Sequence, residues 1–181
     1  MNSRLDHRRL ASLLAASAGL AYATVGALVA RAPQPEHHWH APAYAVEAFF
    51  ALALALTIPL VPFLQVGSSR VERLAVRVSQ AGFTSMLVSA IASVAVGGDT
   101  LGPAFFLGLL AALAGLLALV IQALRARRQH WWASPVAFAG LILGIGLGDH
   151  GGTLLLGLAW IAVSIALQHH PRNGRLATAS A

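Results

Sequence analysis

Six apolar stretches separated by short polar turns are the feature that most constrains what this chain can fold into. A helix needs about 20 consecutive apolar residues to cross the hydrocarbon core of a bilayer. Only 10% of the residues are charged, whereas a soluble domain carries about 25%, so most of the surface must face something other than water. The sequence therefore predicts an all-α integral membrane protein, a bundle of six transmembrane helices at about 10–30, 42–64, 78–96, 101–124, 132–148 and 152–168.

The final apolar stretch, from Trp132 to Gln168, could form one helix or two. A single helix would extend about 55 Å at about 1.5 Å per residue, against a hydrocarbon core of about 30 Å. The middle segment 148–152 consists of glycines, one histidine and Asp149, and so supplies a turn and a charge. We therefore predict two short helices, and six crossings rather than five.

The first apolar stretch could instead be a cleaved signal peptide, because Ala30-Arg31-Ala32 has the small-x-small outline of a cleavage site. Its apolar core of roughly 20 residues exceeds the roughly 7–15 that are usual in signal sequences. Pro33 follows that outline directly and would hinder cleavage. We expect this segment to be retained as a transmembrane helix.

The arginines predict the orientation. The chain has no lysine, and with six helices every arginine except Arg31 falls on the side of the N-terminus. Because basic residues accumulate in cytoplasmic loops, we expect both termini to be cytoplasmic. This places a basic tail at 1–9, the membrane domain at 10–168 and a flexible tail at 169–181. The alanine-, glycine- and arginine-rich composition suggests a GC-rich genome, and we expect a multi-pass protein of the cytoplasmic (inner) membrane of a bacterium.

The basic charge does not indicate nucleic-acid binding. The formal net charge is +6, but the arginines stand in short clusters at helix ends, as orientation signals do. They form no basic face interleaved with aromatic residues that could hold a phosphate backbone. The chain contains no cysteine, which excludes disulfides, thiolate metal sites and cysteine nucleophiles.

Small residues recur at helical spacing on three of the predicted helices. Lipid offers no hydrophobic drive for helix association, so small side chains are needed to let backbones approach closely. These stripes therefore predict helix packing, although each could instead line a substrate path. Their members are Ala15, Gly19, Ala23 and Ala27; Ser85, Ser89 and Ser93; and Gly140, Gly144 and Gly148.

The loop 70–77 has two interpretations. Arg70, Arg73 and Arg77 fall on one face of a helical projection, and another face carries Val71, Leu74 and Val78. Such a short amphipathic segment could lie among anionic lipid headgroups. Alternatively, it is a solvated orientation signal that extends the third helix.

A polar cluster is predicted at the opposite, outward end of the bundle. Imidazole and carboxylate together suit zinc, copper(II), nickel or iron. The cluster contains no HExxH motif, and a hydrated loop in which arginine is disfavoured would have the same composition. The candidate ligands of a divalent transition metal, which would be the only cofactor, are His37, His38, His40, Glu47, Asp99, Asp149 and His150.

Glu47 is the candidate of most interest in that cluster, because a carboxylate on an apolar helix is costly unless it reaches water or a partner. Its position near the helix end also lets it reach outward, toward water. At mid-depth the six predicted helices carry hydroxyl groups but no carboxylate or histidine. This argues against a proton- or sodium-coupled transporter that works as a monomer and against a haem carrier.

Three function classes remain. The first, which we favour, is a non-enzymatic accessory or interaction protein whose partners are membrane lipids, another membrane protein or further copies of itself. The second is an outward-facing metal- or pH-responsive protein that uses the histidines. The third is an interfacial enzyme acting on a lipid or isoprenoid substrate, with Glu47, Asp99 or Asp149 as general acid or base.

Overall fold

A computed structural model describes residues 3–31, 41–96, 102–126, 131–147 and 150–168. These residues form six α-helices and no strand, which confirms the predicted all-α helical bundle. Four helices are long and apolar enough to cross a membrane, and two are shorter. The helices are α1 (Ser3–Arg31), α2 (Ala41–Thr57), α3 (Arg70–Val96), α4 (Gly102–Ala126), α5 (Ala133–Gly146) and α6 (Thr153–Gln168).

Two helices begin earlier than the hydropathy pattern indicates. α1 begins at Ser3, inside the segment assigned to a basic tail, and α3 begins at Arg70 rather than near Val78. Arginine and leucine are good helix formers, so a helix need not end where its apolar run ends. The segment 70–77 is therefore the first two turns of α3, as in the interpretation that it extends the third helix.

The two prolines late in the second apolar stretch change the type of helix. α2 ends at Thr57, and Ile58–Leu64 continues the chain as a 3-10 helix. In an α-helix the Ile58 carbonyl would accept from residue 62, but Pro62 has no N–H to donate. The amide nitrogen Nε2 of Gln80, on α3, donates to that carbonyl at 3.0 Å. A neighbouring helix thus supplies a donor where the proline has none.

The helices form a closed ring in chain order. Each helix packs against the next one in the sequence, and α6 returns to pack against α1. The most extensive of these packings join α3 to α4 and α1 to α6. The ring is thus closed by the first and last described helices of the chain.

Pairs of glycines bring the backbones together in both of these packings. A Cβ atom on Gly19 would lie 2.7 Å from the carbonyl oxygen of Gly157, and one on Gly157 would lie 2.5 Å from that of Gly19. Gly82 of α3 and Gly108 of α4 oppose each other in the same reciprocal way, at 2.5 and 2.7 Å. No side chain of any size fits at these crossings.

The predicted packing role of the small-residue stripes is confirmed at several positions. Besides Gly19, Gly140 of α5 lies against Ala159, and Gly144 lies against Leu156, both on α6. In the serine stripe, the Ser85 hydroxyl donates to the Ala104 carbonyl of α4 at 2.9 Å.

Two single glycine-to-alanine substitutions, one at a helix crossing and one at an open position, test how far the stability of the fold depends on this close approach. In Gly82→Ala, the new methyl group would lie 2.5 Å from both the Ala112 nitrogen and the Gly108 oxygen, which are backbone atoms. We expect a loss of about 1–3 kcal/mol, the usual cost of overpacking. The measurement is thermal unfolding of the detergent-purified protein.

Gly146→Ala is the matched control, because a Cβ atom there meets nothing within 4 Å. Alanine is a better helix former than glycine, so this variant should lose no stability. Equal losses in the two variants would contradict the packing account.

Candidate functional site

Only two residues of the predicted metal cluster lie in the described part of the chain. Glu47 is half-buried on α2, and His150 is exposed in the turn before α6. His37, His38, His40, Asp99 and Asp149 lie outside the described residues. Within the described residues no three histidine, aspartate or glutamate side chains converge as a metal site would require. Metal binding by this cluster stays a prediction.

The metal hypothesis predicts a specific thermal shift. A ligand at 100 times its dissociation constant stabilises a protein by about 2.7 kcal/mol. Micromolar zinc, copper or nickel should therefore raise the unfolding temperature of the wild type. The His37→Ala, His38→Ala and His40→Ala triple variant should lose that rise. Equal shifts in the two proteins, or none in either, would exclude these histidines as a site.

Inside the bundle, a hydroxyl network joins α1 to α6. The Ser12 and Ser164 hydroxyl oxygens lie 3.1 Å apart, and the Ser164 hydroxyl also donates to the Ser12 carbonyl at 2.9 Å. Nε2 of Gln168 donates to the Ser12 hydroxyl at 2.7 Å. Ser12 and Ser164 are buried, so each bond avoids the cost of an unpaired polar group. The network fixes the register of the two helices.

A second buried polar contact joins α1 to α2. The hydroxyl oxygens of Tyr22 and Thr57 lie 3.4 Å apart, and Thr57 donates to the Ala53 carbonyl at 2.8 Å. The Tyr22 ring meets the Phe50 ring edge-on, with 6.2 Å between centroids. Phe50 in turn lies 6.3 Å from the Phe105 ring of α4. This arrangement is an aromatic core with one satisfied polar contact.

Most of the buried polar side chains in the described part of the chain have a hydrogen-bond partner. Among the described residues, the buried side-chain polar atoms without a hydrogen-bond partner are Ser79 Oγ and Thr153 Oγ1. Ser79 lies against Gly115 in the α3–α4 packing. The buried hydroxyls and amides of the described interior therefore act mainly as links between helices.

The end of the bundle where α3 begins is organised by one buried carboxylate. Glu72 is 4% exposed and accepts hydrogen bonds from the backbone nitrogens of Gly67 and Ser69, at 2.7 and 3.0 Å. The Ser69 hydroxyl donates to Glu72 at 3.1 Å and lies 3.1 Å from the Glu72 backbone nitrogen, which donates to it. This is a capping box, in which residues Ncap and N3 satisfy each other's free donors.

The same end is tied to α5. The Ser134 hydroxyl, in the first turn of α5, donates to the Leu64 carbonyl at 2.9 Å. Leu64 ends the 3-10 helix, and its carbonyl has no later helical residue to accept from. The connection 65–69 is thus held at one end by α5 and at the other by the capping box of α3.

Four exposed arginines of α3 and α4 lie at this end, and we name them the arginine face. The Arg73 guanidinium donates to the Ser68 carbonyl. The members of the arginine face are Arg70, Arg73, Arg77 and Arg125.

Sequence reasoning identified the arginines but missed the residues that organise this end. The Ser69-x-x-Glu72 spacing is a recognisable capping signal before α3. The partners of the buried hydroxyls lie on distant segments, so no local pattern indicates them. No protein family, curated protein or solved structure is significantly similar to this chain. Function must therefore be argued from its own residues.

Proposed function

We propose that the protein is a non-enzymatic, multi-pass protein of the bacterial cytoplasmic membrane that acts through contacts with other membrane proteins or further copies of itself. The observation that supports this most is the way in which the polar groups of the described interior are used. They bond to one another across helix pairs, as Ser12 does with Ser164 and Gln80 with Ile58. The outward surface of the described helices is broadly apolar.

That surface is rich in large aliphatic and aromatic side chains. Leu107 and Leu110 of α4 are 67% and 62% exposed, and Leu13 of α1 is 64% exposed. Such exposure is normal toward lipid and costly toward water. Four helices that are long and apolar enough to cross a bilayer agree with a transmembrane position for this surface.

The charge distribution supports the cytoplasmic orientation. The charge-free part of α3, 78–96, separates the three arginines of its first turns from the opposite end of the bundle, where His150 lies. Apart from Arg31, at the end of α1, the exposed arginines of the described residues lie toward one end, and such a concentration is the pattern of the positive-inside rule. The end that carries the arginine face is then cytoplasmic.

Site-specific photo-crosslinking in native membranes tests the proposed interaction. A photoreactive amino acid is placed singly at one outward position on each of five helices. A partner should cover one face, so we expect discrete protein adducts from one or two adjacent helices and none from the others. Each position then serves as a control for the rest. The positions are Leu13, Leu52, Val88, Leu110 and Ile142, all exposed.

Lipid adducts alone at all five positions would contradict an interaction role. A product of twice the protein's mass would identify the partner as a second copy. A product of another mass would identify a different membrane protein.

A further inference from the structure

The first two turns of α3 combine exposed arginines with exposed apolar side chains. Arg70, Arg73 and Arg77 are exposed, and Val71 and Leu74 between them are 52% and 63% exposed. Water alone would favour the arginines and disfavour the two apolar side chains. An environment that contains both anions and hydrocarbon stabilises all five.

The length of α3 places these turns at the membrane boundary. α3 has 27 residues, which at about 1.5 Å per residue extend about 40 Å, roughly 10 Å more than a hydrocarbon core. Residues 78–96 carry no charged side chain and are about long enough to fill that core. The excess therefore falls on Arg70–Arg77, at the level of the headgroups.

The nearby carboxylate does not neutralise these arginines. Glu72 belongs to the same two turns, but it is buried and accepts from the Gly67 and Ser69 backbone nitrogens. Its side chain is therefore buried, while the arginines are exposed. The Arg73 guanidinium donates to the Ser68 carbonyl, which is neutral. The positive charge of this face thus stays available to an external anion.

α4 adds a fourth arginine at the same level. Gly115 of α4 lies against Ser79 and Ala75 of α3, and the two helices run in opposite directions. Ten residues further along α4 is Arg125, and nine residues back along α3 from Ser79 is Arg70. Arg125 and Arg70 therefore lie at nearly the same depth, both exposed.

We propose that the arginine face binds the phosphate headgroups of anionic phospholipids, with Val71 and Leu74 inserted toward the acyl chains. Guanidinium groups bind phosphate oxygens through paired, charge-assisted hydrogen bonds. Clustered arginines next to a transmembrane helix attract anionic lipids. Long arginine side chains can reach the headgroups while their stems stay at the hydrocarbon boundary. This proposal concerns a different surface from the interaction proposed above and does not depend on it.

A lipid titration of the full-length protein in detergent tests the proposal. The probes are phosphatidylglycerol, phosphatidylcholine with the same acyl chains, and inorganic phosphate, with the unfolding temperature as the readout. We expect phosphatidylglycerol to stabilise the protein at much lower concentration than phosphatidylcholine. Since each arginine near an anionic surface contributes about 1 kcal/mol, each Arg→Gln change should weaken the apparent affinity about 5-fold.

The decisive comparison is between two triple variants, each of which lacks three arginines from a different set of positions. Arg70→Gln/Arg73→Gln/Arg77→Gln should weaken phosphatidylglycerol binding about 100-fold on the same constant. Arg31→Gln/Arg172→Gln/Arg175→Gln removes the same charge from residues that are not members of the arginine face and should retain the binding. Equal losses in the two variants would overturn the proposal, because they would show attraction to net charge alone.

The responses of the wild type to the three probes also test the proposal. If phosphatidylglycerol and phosphatidylcholine act equally on the wild type, the face does not recognise anionic lipid and the proposal fails. If inorganic phosphate at similar concentration matches the lipid, the face binds a soluble anion instead.

Should the glutamine variant fail to fold, Arg→Lys at the same three positions keeps the charge. It should bind phosphatidylglycerol more weakly than wild type, since lysine lacks the paired geometry, and unchanged binding would contradict direct phosphate contacts. A protein adduct from a photoreactive residue at Leu74, in place of lipid adducts, would assign the face to a protein partner.

Discussion

The close approach of glycine backbones between antiparallel helices is the interaction on which the rest of this structure depends. In lipid, apolar surface gains nothing by leaving the solvent, so helices associate through packing and hydrogen bonds. Gly19 with Gly157 and Gly82 with Gly108 allow contacts that any Cβ atom would block. The two most extensive packings of the ring contain these pairs.

Hydrogen bonds then fix the register of the helices that the glycines allow to approach closely. Ser12, Ser164 and Gln168 set the register of α1 on α6, and the Ser85 hydroxyl binds the Ala104 carbonyl between α3 and α4. Gln80 and Ser134 bind carbonyls of the 3-10 helix. At the end where α3 begins, Glu72 is buried in the capping box and the arginines of α3 are exposed.

The number and approximate positions of the helices could be predicted, because apolar length is a local property of the sequence. Gly19 and Gly144 belong to the predicted small-residue stripes, whereas Gly82, Gly108 and Gly157, which also lie at crossings, do not. The pairing of the helices could not be predicted. α1 and α6 meet across 152 residues of chain at Ser12 and Ser164, and apolar periodicity alone does not identify a partner that distant. The capping box at Glu72 was visible in the local spacing, but the hydropathy pattern placed the start of the helix further along. His37, His38 and His40 lie outside the described residues, so the convergence of the outward cluster stays a prediction.

The measurement that tests the closed ring most directly is a disulfide between α1 and α6. The chain has no cysteine, so Ser12→Cys with Ser164→Cys creates a single pair at positions whose hydroxyl oxygens lie 3.1 Å apart. We predict rapid cross-linking of this pair under mild oxidation in membranes. Ser17→Cys, at an exposed position on the same helix, should cross-link poorly with Ser164→Cys. Absence of the Ser12–Ser164 cross-link, or equal cross-linking of both pairs, would contradict the closed ring.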